Sequence, residues 1–317
     1  MRYNSGMNHR ERIALVIEGQ KADRIPRGEL CIDDRLVAEH CGVTDVKFDQ
    51  RLAFVSDLDL DLICLGAELD DHSSANTLPD PKTVQFPDLN RWANESGRFV
   101  FAMLDGALAW VSRMLGFHSF LTDLYRRPDE VSAMMNQAAE FNLELARKAA
   151  GQGAHGILIA DDIAYTKGLM MSPDMLRQIF FPVLKKLVEQ ISALELPVFF
   201  HSDGNLNLIM DDLANTGLNG LQCLESAAGM DLHTIKQNYG RQLCLWGNLD
   251  PACLTGPLDD QGKQAIQEQV STIQRTAEQG GIIFGTSSGL FHGIRLENLG
   301  YAYQCLSDPT EQAATVK

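Results

Sequence analysis

The sequence is poor in positive charge: 27 Lys and Arg stand against 42 Asp and Glu, a formal charge of −15 at pH 7. Nucleic acid or an anionic membrane would require a basic footprint, so neither is expected as a partner, and a polyanionic substrate would need a local basic pocket against that field. There is no C-x-x-C pair. The seven cysteines (Cys31, Cys41, Cys64, Cys223, Cys244, Cys253, Cys305) are odd in number and scattered, which argues against a disulfide framework and for a reducing, cytoplasmic location. No apolar run approaches the ~20 residues of a membrane span. Met1-Arg2-Tyr3-Asn4 leads into a charged helical segment rather than a signal peptide. The absence of G-x-S-x-G, G-x-x-x-x-G-K-[ST] and H-E-x-x-H disfavours the hydrolases and P-loop enzymes that carry them.

What the sequence does have is a repeated cadence: an apolar run ending abruptly in acids, histidine or glycine. Pro197-Val198-Phe199-Phe200 runs into His201-Ser202-Asp203-Gly204-Asn205, Gly156–Ala160 into Asp161-Asp162, and Gly220–Leu224 into Glu225. Strands are expected near Arg27–Ile32, Leu60–Leu65, Phe99–Leu104, Gly156–Ala160, Val198–Phe200, Gly220–Leu224, Gln242–Trp246 and Gly281–Phe284. Helical periodicity fills Asn8–Glu18, Asp129–Ala150, Pro173–Leu194, Leu206–Thr216 and Asp259–Glu278. Short buried strands alternating with helices predict an α/β chain forming one (β/α)8 TIM barrel over residues 1–317, with an extra N-terminal helix and a long loop, Glu68–Asn94, after strand 2. An open doubly wound sheet is the rival.

Active sites of such barrels lie at the carboxyl ends of the strands, so the residues that follow each strand are the candidates: Glu68, Asp105, Asp161-Asp162, His201-Ser202-Asp203, Glu225, Asn248 and Asp250, and Thr286-Ser287-Ser288. A crowd of carboxylates there binds a cation or raises its own pKa values for acid–base work. His201 and Asp203 are two apart, on one face of an extended chain, and with Glu225 make a nitrogen and oxygen donor set suited to zinc or a harder divalent metal. The alternative is that His201 and Asp203 hydrogen-bond each other and cap the helix that follows. Asp161 or Asp162 can serve as acid–base group or substrate anchor, or simply cap a helix. Trp246, Asn248, Ser288, Asp105 and His292 are the candidate substrate-lining residues.

Several segments together resemble the uroporphyrinogen decarboxylase superfamily, particularly its corrinoid-dependent methyltransferases of the methylcobamide:coenzyme M type. They are Arg10-Glu11-Arg12 through Asp23-Arg24-Ile25-Pro26, Asp161-Asp162 through Gly168, Met171-Ser172-Pro173, His201–Asn205, Gly247-Asn248-Leu249-Asp250-Pro251, and Gly285–Gly289 with Leu296-Glu297-Asn298. The resemblance implies a (β/α)8 barrel and, in the methyltransferases, a zinc held by a histidine, two cysteines and sometimes a glutamate, which activates a substrate thiol. Those positions correspond to His201, Asp203, Ser288 and Glu225, so both thiolates are replaced. The decarboxylase's arginine-bearing N-terminal motif corresponds to Arg27-Gly28-Glu29-Leu30-Cys31-Ile32-Asp33-Asp34, where acids dominate.

The expected function is therefore methyl transfer between a small methylated substrate and a corrinoid (cobalamin) supplied by a partner protein. Asp161 or Asp162, His201 and Asp203 would be catalytic, and His201, Asp203 and Glu225 would hold zinc or another divalent metal. The alternatives are a decarboxylase or related lyase acting on a porphyrinogen or smaller acid, and a non-catalytic tetrapyrrole- or corrinoid-binding protein.

Overall fold

A computed structural model describes residues 6–69 and 76–307. Eight strands form one parallel sheet whose order follows the chain. They are β1 (Gly28–Glu29), β2 (Leu62–Gly66), β3 (Phe99–Asp105), β4 (Gly156–Ala160), β5 (Val198–His201), β6 (Gly220–Cys223), β7 (Cys244–Leu249) and β8 (Ile282–Thr286). Each coincides with an expected strand, its ends shifted by no more than three residues. Parallel bridges from Arg27 to Phe284 and from Ile32 to Leu290 join the first strand to the last, so the fold is the α/β (β/α)8 barrel. The open sheet is excluded.

By its internal contacts the chain divides into two compact units, one within Met1–Ile63, Ser96–Phe99 and Gln222–Lys317, the other within Cys64–Glu95 and Val100–Leu221. In the first, Asn8 and Glu11 form a reciprocal capping box at the start of the helix His9–Ile17. That helix delivers Arg12 to Asp61, which is wholly buried and lies just before β2. The Asp61 carboxylate accepts from Arg12 Nη1 at 2.6 Å, Arg24 Nη1 at 2.7 Å and the Arg27 N–H at 2.8 Å, with His9 Nδ1 at 2.7 Å. The opening motif Arg10–Pro26 is thus largely an ion-pair network, remote from the carboxyl ends of the strands.

In the second unit β3 pairs with β4 and β4 with β5, with Asp105 opposite Ala160 and Ala160 opposite His201. Leu158, Phe101, Phe199 and Phe200 are fully buried, which is why these runs read as continuously apolar. Three expectations need adjustment here. The segment Glu68–Asn94 is not all loop: a helix spans Leu89–Glu95 because Leu89, Trp92 and Ala93 fall on one buried face, while residues 70–75 lie outside the described part. Leu206–Thr216 is a 3-10 turn at Asn207–Ile209 followed by a short helix, Met210–Ala214. The span Pro173–Leu194 is interrupted by a π-helical turn, Leu176–Phe180, just before Pro182, whose ring supplies no N–H to the preceding turn.

Candidate active site

The register between β4 and β5 sets Asp161-Asp162 beside Ser202-Asp203. Successive residues of an extended chain face opposite ways, and the two acids accordingly differ. Asp161 turns outward and is 2% exposed. Its carboxylate accepts the N–H groups of Leu108 at 3.0 Å and Ala109 at 2.7 Å, at the start of the helix Ala107–Leu115. Burial pushes the Asp161 carboxyl up to about 7, against the lowering effect of those two donors. Asp161 therefore caps a helix from a neighbouring strand, and Asp162 is the more exposed of the two acids.

Asp162 is about half exposed, as is Asp203, while His201 is buried. The His201 Nε2 lies 3.8 Å from Asp162 Oδ1 and 3.8 Å from Asp203 Oδ1. The Asp203 N–H donates to Asp162 Oδ1 at 2.9 Å and fixes that carboxylate. His201 and Asp203 stand too far apart in this pair of atoms for a hydrogen bond, and the following turn takes its cap from Asn205, whose Oδ1 accepts the Asn207 N–H at 3.0 Å. Among the described residues, His201 and Asp203 are groups able to hold a metal ion.

A hairpin, Ala164–Tyr165 with Gly168–Leu169, follows Asp162 directly. It is locked to the Asp203 turn. The Ile163 N–H donates to Ser202 Oγ at 3.1 Å and the Asn205 N–H to the Tyr165 carbonyl at 3.1 Å. Gly204 has φ 85°, and a Cβ there would lie 2.5 Å from the Tyr165 nitrogen, so glycine is required both by conformation and by space. Asp105, at the end of β3, gives Oδ2 to Arg113 Nη2 at 2.6 Å.

In the other unit, Glu225 follows β6, directly after Cys223 and Leu224, which have φ values of 89° and 52°. Asn248, near the end of β7, has φ 76° and donates from Nδ2 to the Leu224 carbonyl at 2.6 Å. Non-glycine residues held in the left-handed region are strained, and such strain collects at functional sites. Apolar patterning gave no sign of it, and Cys223, a buried thiol at a strand end, was not among the expected site residues. Asn248 also borders a cleft of about 420 Å³ with Ser226, Asp231 and Glu268.

Three expected lining residues find other surroundings. Trp246 is fully buried and donates its indole N–H to the Gly28 carbonyl at 2.9 Å, so it is core and not rim, because β7 continues to Leu249. Ser288 is exposed, with its carbonyl taking the Cys31 thiol at 3.5 Å. His292 is half exposed, 3.7 Å from Glu39. Arg27 does not reach the strand ends: its guanidinium stacks on the Tyr303 ring at 4.4 Å and bonds Ser307 Oγ at 2.9 Å.

A model of the uroporphyrinogen decarboxylase (URO-D) family matches residues 97–308. The chain belongs to that family. Among curated relatives, a uroporphyrinogen decarboxylase of Pelobacter propionicus is 26% identical over 58% of this chain and 50% of its own length. The methylcobamide:CoM methyltransferase MtaA of Methanosarcina barkeri is 25% identical over 62% of this chain and 54% of its own. The chain thus spans about half the length of these URO-D family relatives. A solved methyltransferase from Methanosarcina mazei covers 95% of this chain and 98% of its own at a TM-score of 0.73 and 19% identity, a likeness of fold.

The thiol-activating zinc centre implied by the sequence resemblance does not fit the residues at its positions. Asp203 and Ser288 stand where thiolates would be. The neighbouring Cys31 thiol is pushed up by burial and by Glu29 and Asp33, the opposite of what a thiolate ligand needs. No helix among the described residues is long and apolar enough to cross a membrane.

Proposed function

We propose that this URO-D family protein is a methyltransferase that moves a methyl group between a small methylated substrate and a corrinoid carried by a partner protein. The carrying observation is the acidic strand-end cluster: His201 between Asp162 and Asp203, with Arg27 committed to Tyr303 and Ser307. A porphyrinogen bearing many carboxylates would meet like charge there. The relatives named as methylcobamide:CoM and methylated-thiol–coenzyme M methyltransferases, the latter 26% identical over 57% of this chain, support the same reading.

In this reading the imidazole of His201 and the carboxylate of Asp203 bind a divalent metal or polarise the acceptor. Asp162 is the acid presented to the substrate. An oxygen or nitrogen nucleophile suits this donor set better than a thiol does.

The test is spectroscopic. Purified protein is mixed with methylcobalamin, or with reduced cobalamin, and a panel of methyl acceptors or donors, and the corrinoid absorbance is followed. A protein-dependent change lost in His201→Ala is expected; no change with any pair sinks the proposal. The second reading, a decarboxylase, draws on the relatives of that name. It would be favoured by carbon dioxide release from a candidate acid that Asp162→Asn abolishes.

A further inference from the structure

We infer that Arg98 anchors a binding site for a small oxyanion of the phosphate class at the amino ends of β1, β2 and β3. The site is separate from the strand carboxyl ends and from the reaction proposed there. Arg98 directly precedes β3 and is only 9% exposed. Its Nε has no acceptor, and its guanidinium has no ion-pair partner among the described residues. Arginine keeps its charge in proteins, so a buried guanidinium needs a counter-charge.

The acids nearby are already committed. The Phe99 N–H donates to the Asp61 carbonyl at 2.9 Å and the Asp61 N–H to the Arg27 carbonyl at 2.7 Å, so Arg27, Asp61 and Arg98 stand in a row. Five groups lie within hydrogen-bond distance of the Asp61 carboxylate: His9 Nδ1, Arg12 Nη1, both Arg24 Nη atoms and the Arg27 N–H. A carboxylate has about four lone-pair positions, so Asp61 is saturated. Asp59 accepts from Arg24 at 2.8 Å and lies 3.8 Å from Arg27, and Asp23 is held by Arg12. Three carboxylates thus serve Arg12, Arg24 and Arg27, and the guanidinium of Arg98 is surplus.

The surroundings favour an anion. Burial holds the Arg98 pKa below its ordinary value against the pull of Asp59 and Asp61, and the charge of Arg24 adds to the lowering. A local positive excess in a chain of formal charge −15 is where an anion is drawn. The Arg24 side chain is 30% exposed and that of Asp59 49%, so the network opens to solvent. The planar fork of a guanidinium matches two oxygens of a phosphate-type group.

The test uses the full chain in a chloride buffer and titrates inorganic phosphate at constant ionic strength by isothermal titration calorimetry. Wild type should bind one phosphate, and Arg98→Gln should weaken binding about 10-fold or more. Arg147→Gln, which removes an exposed guanidinium paired with Glu144, should stay within about 2-fold. Without phosphate, Arg98→Gln should melt no lower than wild type, because the charge it removes is uncompensated. With saturating phosphate the wild-type melting temperature should rise by about 2 °C or more, and that of Arg98→Gln should not.

Glycerol phosphate separates two sources of the same chemistry. Tighter binding than inorganic phosphate assigns the site to a phosphorylated metabolite, and equal or weaker binding assigns it to the free anion. The site is overturned if wild type binds no phosphate at millimolar concentration, or if Arg98→Gln binds it as wild type does. It is also overturned if Arg98→Gln melts well below wild type in phosphate-free buffer, since the guanidinium would then already be neutralised within the protein.

Discussion

The carboxyl group of Asp161 occupies the space where a side chain on Gly106 would begin: a Cβ at Gly106 would lie 2.1 Å from the Asp161 Cγ. The acid on β4 and the glycine that opens the Ala107–Leu115 helix are therefore fitted to each other. Gly106 has φ −70°, so the constraint is steric rather than conformational. Gly106→Ala should cost about 2 kcal/mol or more, as overpacked sites do, seen as a lower midpoint in urea. An unchanged midpoint would mean that Asp161 can move aside.

Asp161→Ala should destabilise by about 1–3 kcal/mol, because the N–H groups of Leu108 and Ala109 lose their acceptor inside the protein. Asp162→Ala, at an exposed position, should alter stability by less than about 0.5 kcal/mol. Chemical denaturation of both variants checks this division of labour, and equal losses would contradict it.

Asp61 should be the costliest single acid to remove from the amino-terminal side. Its carboxylate serves Arg12, Arg24 and the Arg27 backbone with no exposure to water. Asp61→Ala leaves the buried Arg12 guanidinium with the partly exposed Asp23 as its remaining acid and removes the acceptor of the Arg27 N–H, and should cost about 3–5 kcal/mol. Chemical denaturation measures the loss, and a cost under 1 kcal/mol would show that the network is dispensable.

Glu29 gives a pH dependence. Burial pushes its carboxyl from 4.5 up to about 7, although Thr286 donates to it from both N–H and hydroxyl. Because the folded-state value is the higher one, the native protein holds the proton between those values while the unfolded chain has lost it. The stabilising contribution is complete below pH 4.5, declines as pH rises toward 7 and is gone above it, amounting to about 3 kcal/mol. Subtracting the stability curve of Glu29→Gln from that of wild type should isolate this slope; a flat difference would refute it.

Trp246→Phe should remove the hydrogen bond to the Gly28 carbonyl and lower stability by about 1 kcal/mol. In the proposed reaction the KM for a methyl donor should not move, since the ring is wholly buried. A shift in KM with unchanged stability would return Trp246 to the rim.

The eight strands were legible because each is a short apolar run closed by polar residues, and a buried parallel strand leaves that trace in composition alone. The strand-end positions of His201, Asp162 and Asp203 were legible for the same reason, since they close such runs. The division of roles between Asp161 and Asp162 was not, because alternation says that adjacent acids diverge but not which of them meets a helix start. Trp246 misled because β7 extends three residues beyond it, to Leu249, and strand ends are set by pairing partners distant in sequence. The strained backbone at Cys223, Leu224 and Asn248 has no signature in residue type, the glycine-like conformations being taken by a thiol, an aliphatic chain and an amide.

The hairpin that follows Asp162 has a fixed base and a free tip. Gly204 and the bond from Asn205 bind its Tyr165 backbone to the Asp203 turn, while the Tyr165 side chain, Thr166 and Lys167 remain exposed. Replacing those three side chains would change the exposed surface of the hairpin without disturbing the backbone bond that holds its base. The tip can thus vary in sequence as an interchangeable part, with Asp162, His201 and Asp203 left in register.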